Sequence, residues 1–514
     1  MLMRKRGKSP KKVSPPRGRA VMPGRFGWPG RGGGGGFQLE VAPEWRGTSK
    51  QVCGLWPFAA GSAAPLVGVP VGKHLLNGST VCADPVNWFL ANIVNNPSAF
   101  ILGRPGLGKS SLTRRMVTAL AYQGFVPLIM SDLKPDYVDL TLALGGDIIP
   151  VGRGVGSINP LDKGVLTGLL PKMSPEARKK ALEDIHARQT AVLRSLIEMI
   201  RNEPLGARQQ SILATAIRLA DERFDDPLVG DVENLIRDRE PELRALAIDR
   251  GEDERYDTTV DPLREGLMAL GPSGPFGDIF SERTSHKFRL GVPTCFDVSS
   301  VDDADTLLQA AVQAVTWSYG SAMVASATIA ADDGVGQKYT YVLIMDELWR
   351  ILRASAAMID LIDAITRLNR QKGLAQVMIT HTMSDLRMAT EALTERAWGF
   401  VERSSLVFMG GLAVREMGNL REVFDMSRRE VEMIQSWSEE AIVDPISNKA
   451  TSPPGQGCFL LKTGKAPGIP FRMRMTPTEK AVNDTNKRWR HLAVGAAATG
   501  GESVVPSDAA AMVG

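Results

Sequence analysis

Ser98-Ala99-Phe100-Ile101-Leu102 runs directly into Gly103-Arg104-Pro105-Gly106-Leu107-Gly108-Lys109-Ser110-Ser111, and a helical pattern with apolar Leu112, Met116, Ala119 and Leu120 continues to Tyr122. Strand, glycine-rich loop and helix in that order fit the spacing G-x-x-x-x-G-K-S/T of a phosphate-binding loop, in the context that gives the spacing meaning. Glycines let the backbone wrap closely round phosphate oxygens, and the N–H groups of the loop and helix start supply positive potential. Gly103, Arg104, Pro105, Gly106, Leu107, Gly108, Lys109, Ser110 and Ser111 are therefore the expected nucleotide-binding residues. Lys109 is expected to reach the β- and γ-phosphates and Ser110 to ligate Mg²⁺, so the expected cofactors are ATP and Mg²⁺.

Downstream, the apolar strand Tyr341-Val342-Leu343-Ile344-Met345 delivers Asp346-Glu347 to its C-terminal end, the edge at which ligands bind in open α/β sheets. Asp346 is expected to hold Mg²⁺ through its water shell, and Glu347 to orient and deprotonate an attacking water. A phosphoryl transferase needs the first acid but not the second, so the pair favours hydrolysis. Set against this is the plain reading of Asp-Glu as a helix cap. Thr380-His381 closes the strand Ala375 to Thr380, where a polar residue can sense a γ-phosphate; a strand-end His is also a common structural hydrogen-bonder. Arg367 and Arg370, at i and i+3 of a helix, and Arg403, in the β-rich part of the core, are candidate arginine fingers, each weighed against a structural salt bridge. Asp132-Leu133-Lys134-Pro135-Asp136-Tyr137, after the strand Val126 to Met130, reads as a polar turn able to reach a nucleotide or a subunit contact.

The alternation of strands and helices predicts an α/β core with a mostly parallel sheet, an all-α insertion and a β-rich C-terminal end. Residues 1–36 are a basic, Pro- and Gly-rich arm in which ten Lys and Arg side chains precede the first acid, Glu40. Such an arm attracts DNA, RNA or an anionic membrane surface, or is only a solvated leader. Residues 37–97 are a short lead-in of strands and turns, 98–163 the first half of the core, 164–289 the helical insertion and 290–475 the second half. Val401 to Met409 is expected as a strand, and residues 476–492 form a final helix before a disordered tail, 493–514. No stretch reaches the roughly 20 apolar residues of a membrane span; Gln313, Thr316 and Ser318 interrupt the longest candidate. Four dispersed cysteines without a Cys-x-x-Cys pair argue for a reduced cytosol and against a zinc site. The aromatic residues are scattered without basic interleaving, so no base-stacking surface for nucleic acid is expected.

With these pieces in order, the chain resembles the VirB-type (TraC-like) motor ATPases of conjugative type IV secretion, within the HerA/FtsK superfamily of P-loop ATPases. The resemblance covers residues 51–492. It is carried by Gly68-Val69-Pro70, Asp84-Pro85, the phosphate loop, Asp132 to Tyr137, Ile158-Asn159-Pro160-Leu161, Phe296-Asp297-Val298-Ser299, Asp346-Glu347, Thr380-His381-Thr382, Phe459-Leu460-Leu461-Lys462 and Pro467-Gly468-Ile469-Pro470. It implies a RecA-like core, ATP and Mg²⁺, a homo-oligomer of hexamer type, and a cytoplasmic location at the inner face of the membrane. There the protein would contact components of a secretion or conjugation channel and energise transfer of DNA or protein. His381 stands where the superfamily usually has Gln, and only residues 37–97 occupy the place of the large N-terminal domain of longer members. A DNA coupling protein or translocase, and a nucleotide-gated scaffold with little turnover, are the alternative readings.

Overall fold

The computed structural model describes residues 64–354, 356–367, 373–440 and 452–482. The basic arm, Arg370 and the tail after residue 482 lie outside the described residues. Eleven strands form one sheet: β1 (Pro70–His74), β2 (Thr80–Cys82), β3 (Ser98–Leu102), β4 (Val126–Asp132), β5 (Asp147–Pro150), β6 (Thr294–Asp297), β7 (Tyr341–Met345), β8 (Leu374–Ile379), β9 (Leu406–Met409), β10 (Cys458–Lys462) and β11 (Ile469–Arg472), in the order 2-1-11-10-9-3-8-7-4-6-5. Strands β9, β3, β8, β7, β4, β6 and β5 are mutually parallel. Strands β10, β11, β1 and β2 extend this block antiparallel. Every residue of β3, β4, β7 and β8 is buried. Continuous rather than alternating apolar runs are what a sheet covered on both faces requires.

Successive strand residues serve opposite faces. Ala99, Ile101, Val342 and Ile344 pack with Leu112, Met116 and Leu120 of the helix Lys109–Tyr122. Phe100, Leu102, Leu343 and Met345 join a second core with Trp317 and the helical region. That region comprises Leu166–Leu169, Pro175–Arg201, Ala207–Arg223, Val229–Arg237, Pro241–Ala247 and Asp253–Ala269. Ser174 caps the long helix through the N–H of Ala177, with Pro175 at the first helical position. The helix Thr306–Asp332 lies between the sheet and these helices and is buried on nearly every side. Part of its polar content is paired inside: Gln313 Nε2 and Trp317 Nε1 both donate to Ser131 Oγ, at 3.2 and 3.1 Å, and Thr316 Oγ1 bonds back to Val312 O, whereas Gln313 Oε1 and the Tyr319 hydroxyl are buried without a hydrogen-bond partner among the described residues. Among the described residues no helix is long and apolar enough to cross a membrane.

Two local expectations change. Val401 to Met409 is not one strand: the helix Glu391–Glu402 occupies its start and β9 only its end. Ala397, Phe400 and Val401 stand at i, i+3 and i+4 and form the helix's buried face, while Thr390 caps its N-terminus. Arg403 therefore ends a helix rather than lying in a β-rich segment. Within the helical region the helix Asp253–Ala269 runs through Pro262, because Tyr256, Val260, Leu263 and Leu267 keep a helical spacing and are buried.

The end of β9 is shaped by close packing. A Cβ on Gly411 would lie 2.2 Å from Trp437 O, whereas Gly418, exposed in the helix Glu416–Val423, has nothing near it. Gly411→Ala is expected to destabilise by about 1–3 kcal/mol through overpacking. Gly418→Ala is expected to stabilise by up to about 1 kcal/mol through helix propensity. Chemical denaturation of the two variants checks the opposite signs.

Candidate nucleotide site

Parallel register brings the C-terminal ends of β3, β8 and β7 side by side, since Ile101 pairs with Ile379 and Met345 with Met378. The glycine-rich loop leaves β3 at this edge, and its backbone is pinned by the neighbouring strand ends. Gly103 N donates to His381 O at 3.0 Å, Arg104 N to Gly411 O at 3.0 Å, and Gly457 N to Leu107 O at 2.9 Å. Gly106 and Gly108 adopt φ of +80° and +106°, which L side chains rarely reach. The helix that follows starts at Gly108 with no side-chain cap and no acid in its first turn, so its leading N–H groups keep their positive end for an anion. The Arg104 side chain turns away, donating to Ser438 O at 2.7 Å.

Lys109 is buried and folds back on its own loop, Nζ donating to Gly103 O at 2.6 Å. Burial pushes its pKa down to about 8, against the pull of Asp346 and Glu347. An ammonium so poorly compensated, held only by a backbone carbonyl, suits an incoming phosphate. Asp346 is the complementary case. Burial, with the adjacent Glu347, pushes its pKa up to about 7. Its carboxyl accepts from Tyr137 O–H at 3.0 Å and Glu347 N at 2.8 Å, both neutral donors. An acid held only by neutral donors, at the same sheet edge as the loop hydroxyl of Ser110, suits a hard divalent cation. Among the described residues no group of three or more His, Cys, Asp or Glu is arranged to hold a metal. The donor set therefore fits an ion that keeps water and phosphate oxygens as its other ligands, as Mg²⁺ does.

Glu347 sits next in sequence with the opposite shift. Burial would raise its pKa, but His381, the Trp349 indole, Lys134 and Arg350 outweigh burial and hold it below the usual value. Trp349 Nε1 donates to Oε2 at 2.7 Å and Lys134 Nζ to Oε1 at 3.4 Å. Its φ is +53°, an uncommon conformation for a residue with a side chain, and such strain concentrates at functional positions. Two adjacent acids pushed apart in pKa divide their work: one waits for a cation, the other stays ionised. His381 Nε2 approaches Glu347 Oε2 to 3.4 Å. Burial and Lys109 lower the His381 pKa, so near neutral pH this contact joins a neutral ring to a carboxylate, and it becomes an ion pair only in acid. His381 Nδ1 and Thr380 Oγ1 are buried without a protein hydrogen-bond partner, so both keep capacity for a ligand or water.

Lys109, Ser110, Asp346, Glu347 and His381 thus lie at one edge. Arg403 lies at the other. Its carbonyl accepts from Asn96 Nδ2 beside the start of β3, and its guanidinium bonds Asp363 at 2.9 Å. Only the backbone of Arg367 is described, at the end of the helix Ala356–Arg367. Sequence reasoning passed over Trp349, which stands two residues after Glu347 and was open to notice. It singled out the turn Asp132 to Tyr137 but not its partners: Lys134 meets Glu347 and Tyr137 meets Asp346, each more than 200 residues away.

The raised Asp346 pKa has a stability consequence. A folded-state pKa above the unfolded value gives stability that is complete below about pH 4 and lost as pH rises to about 7. Without nucleotide, Asp346→Asn is expected to gain thermal stability relative to the parent chain between pH 4 and 7 and to hold that gain above it. Melting temperatures of both proteins across this range check the sign.

The sequence matches no protein-family model and no curated protein. Among solved structures, VirB4 of Thermoanaerobacter pseudethanolicus is similar with a TM-score of 0.60 and 16% identity, over 82% of this chain and 99% of that chain. The plasmid coupling protein TrwB in complex with ADP and Mg²⁺ is a looser likeness that decides nothing about the fold, with a TM-score of 0.43 and 14% identity over 74% of this chain and 86% of that one. The parallel block with its loop after β3, together with the near-complete overlap with VirB4, shows that this chain has the RecA-like P-loop fold of VirB4.

Proposed function

We propose that the protein is an ATP-hydrolysing, oligomeric motor that energises transfer of DNA or protein through a conjugative or type IV secretion apparatus. The observation that carries the reading is the meeting of Lys109, Asp346 and Glu347 at the ends of β3 and β7, in a chain with the VirB4 fold. Lys109 exchanges Gly103 O for phosphate oxygens. Ser110 and Asp346 hold Mg²⁺, which when bound offsets charge on the β- and γ-phosphates. Glu347, ionised and anchored by Trp349, orients a water and takes its proton as the water oxygen bonds to the γ-phosphorus. The bond from that phosphorus to the β–γ bridging oxygen breaks, leaving ADP and inorganic phosphate. His381 senses the γ-phosphate beside Glu347. Arg367, Arg370 or Arg403 reaches the site of a neighbouring subunit as an arginine finger, in a homo-oligomer that we take to be a hexamer. The motor works in the cytoplasm, docked on inner-membrane channel components, with the basic arm contacting DNA or anionic lipid.

Steady-state hydrolysis by the full chain, beside Lys109→Ala and Glu347→Gln and with solution mass measured with and without nucleotide, tests this. Both variants are expected to lose roughly 100-fold or more in kcat, Glu347→Gln while still binding ATP, and activity of the parent chain is expected to rise with assembly. A parent chain that binds ATP yet hydrolyses it no faster than Glu347→Gln is a nucleotide-gated scaffold, and the motor reading fails.

A further inference from the structure

The turn from Asp132 to Tyr137 touches the loop serine and both acids of the site, yet the reaction above assigns it no part. Its shape is self-supporting: Asp132 accepts the N–H groups of Asp136 and Tyr137 at 2.9 and 2.7 Å. From this frame Tyr137 holds Asp346, and Asp136 faces Arg114 at 3.1 Å, with the Ser110 hydroxyl close enough to favour its charged form. Lys134 reaches Glu347 Oε1 at 3.4 Å. The two partners differ in solvent contact, the Lys134 side chain being 58% exposed and that of Glu347 9%. A buried carboxylate therefore carries a cation on its solvent side, on a long flexible stem.

We infer that Lys134 is a positioning residue that makes Glu347 responsive to the γ-phosphate; this rests on the hydrolytic reading. Oε2 of Glu347 is fixed by Trp349 at 2.7 Å, whereas the bond from Lys134 to Oε1 is longer and more easily exchanged. Lys134 lies near enough to Lys109 to disfavour its charge, so a phosphate bound by Lys109 falls within the field of both lysines. A terminal phosphate carries more negative charge than one carboxylate, and Coulomb attraction favours the exchange of partner. Once Lys134 has moved to the phosphate, Oε1 is free to accept a hydrogen bond from the attacking water. ADP lacks the γ-phosphate, the group nearest the attacking water, so Lys134 returns to Glu347 and masks it.

The test compares full-chain Lys134→Met and Lys134→Arg with the parent chain in ATP hydrolysis. It also follows indole emission on titration with ADP and with a non-hydrolysable ATP analogue, the signal being assigned by its loss in Trp349→Phe. In Lys134→Met, where Oε1 is never masked, kcat and KM for ATP are expected to stay close to the parent values while Trp349 emission no longer distinguishes the analogue from ADP, and Lys134→Arg is expected to restore the difference. In the parent chain the analogue, but not ADP, is expected to change Trp349 emission. An analogue-specific emission change that persists in Lys134→Met, or one emission response to both nucleotides in the parent chain, overturns the inference while leaving hydrolysis by the parent chain intact. No hydrolysis by the parent chain, with an analogue-specific emission change, instead discards the hydrolytic reading and leaves the exchange of Lys134 standing.

Discussion

A loop made largely of glycine cannot hold its own shape, and the site depends on how this one is held. The bonds from Gly103 N to His381 O, from Arg104 N to Gly411 O and from Gly457 N to Leu107 O tie it to the ends of β8 and β9 and to the approach to β10. The first two ties follow from β3 lying between β8 and β9 in parallel register, and the third from β10 pairing with β9 on its far side. Sheet order thus sets the geometry of the loop, and the loop sets where Lys109 and the start of its helix stand relative to Asp346 and Glu347.

Electrostatics then follow from burial. In water, Lys109, Asp346 and Glu347 would all be charged at neutral pH. Buried together, Lys109 and Asp346 shift toward their neutral forms, while Glu347 is kept ionised by its neighbours. At neutral pH Lys109 remains an ammonium, poorly solvated, and Asp346 is only partly ionised. Phosphate compensates the first and a divalent ion draws the second to its charged form, so part of the affinity for a metal–nucleotide pair is relief of desolvation, beyond the contacts themselves.

The core of the site was legible because its signals are local: a strand, the loop from Gly103 to Ser111 and a helix in one run, and an apolar strand ending in Asp346-Glu347. The parallel sheet was legible from the alternation of elements. Contacts between distant segments were not. The pairing of Lys134 with Glu347 and of Tyr137 with Asp346 spans more than 200 residues and depends on β4 lying beside β7, which no periodicity encodes. Val401 misled because an apolar, β-branched residue fits either a strand or the buried stripe of a helix, and only the packing of Ala397 and Phe400 beside it decides. Arg403 misled for the same reason, since its position on the sheet follows from the end of that helix.

A structure of the full chain with Mg²⁺ and a non-hydrolysable ATP analogue tests the central claim most directly. The account predicts the triphosphate in the loop Gly103–Ser110, with Lys109 Nζ on phosphate oxygen and no longer on Gly103 O, and the cation between Ser110 and Asp346. A nucleotide bound elsewhere, or a Lys109 still bonded to Gly103 O with the analogue in place, would contradict it.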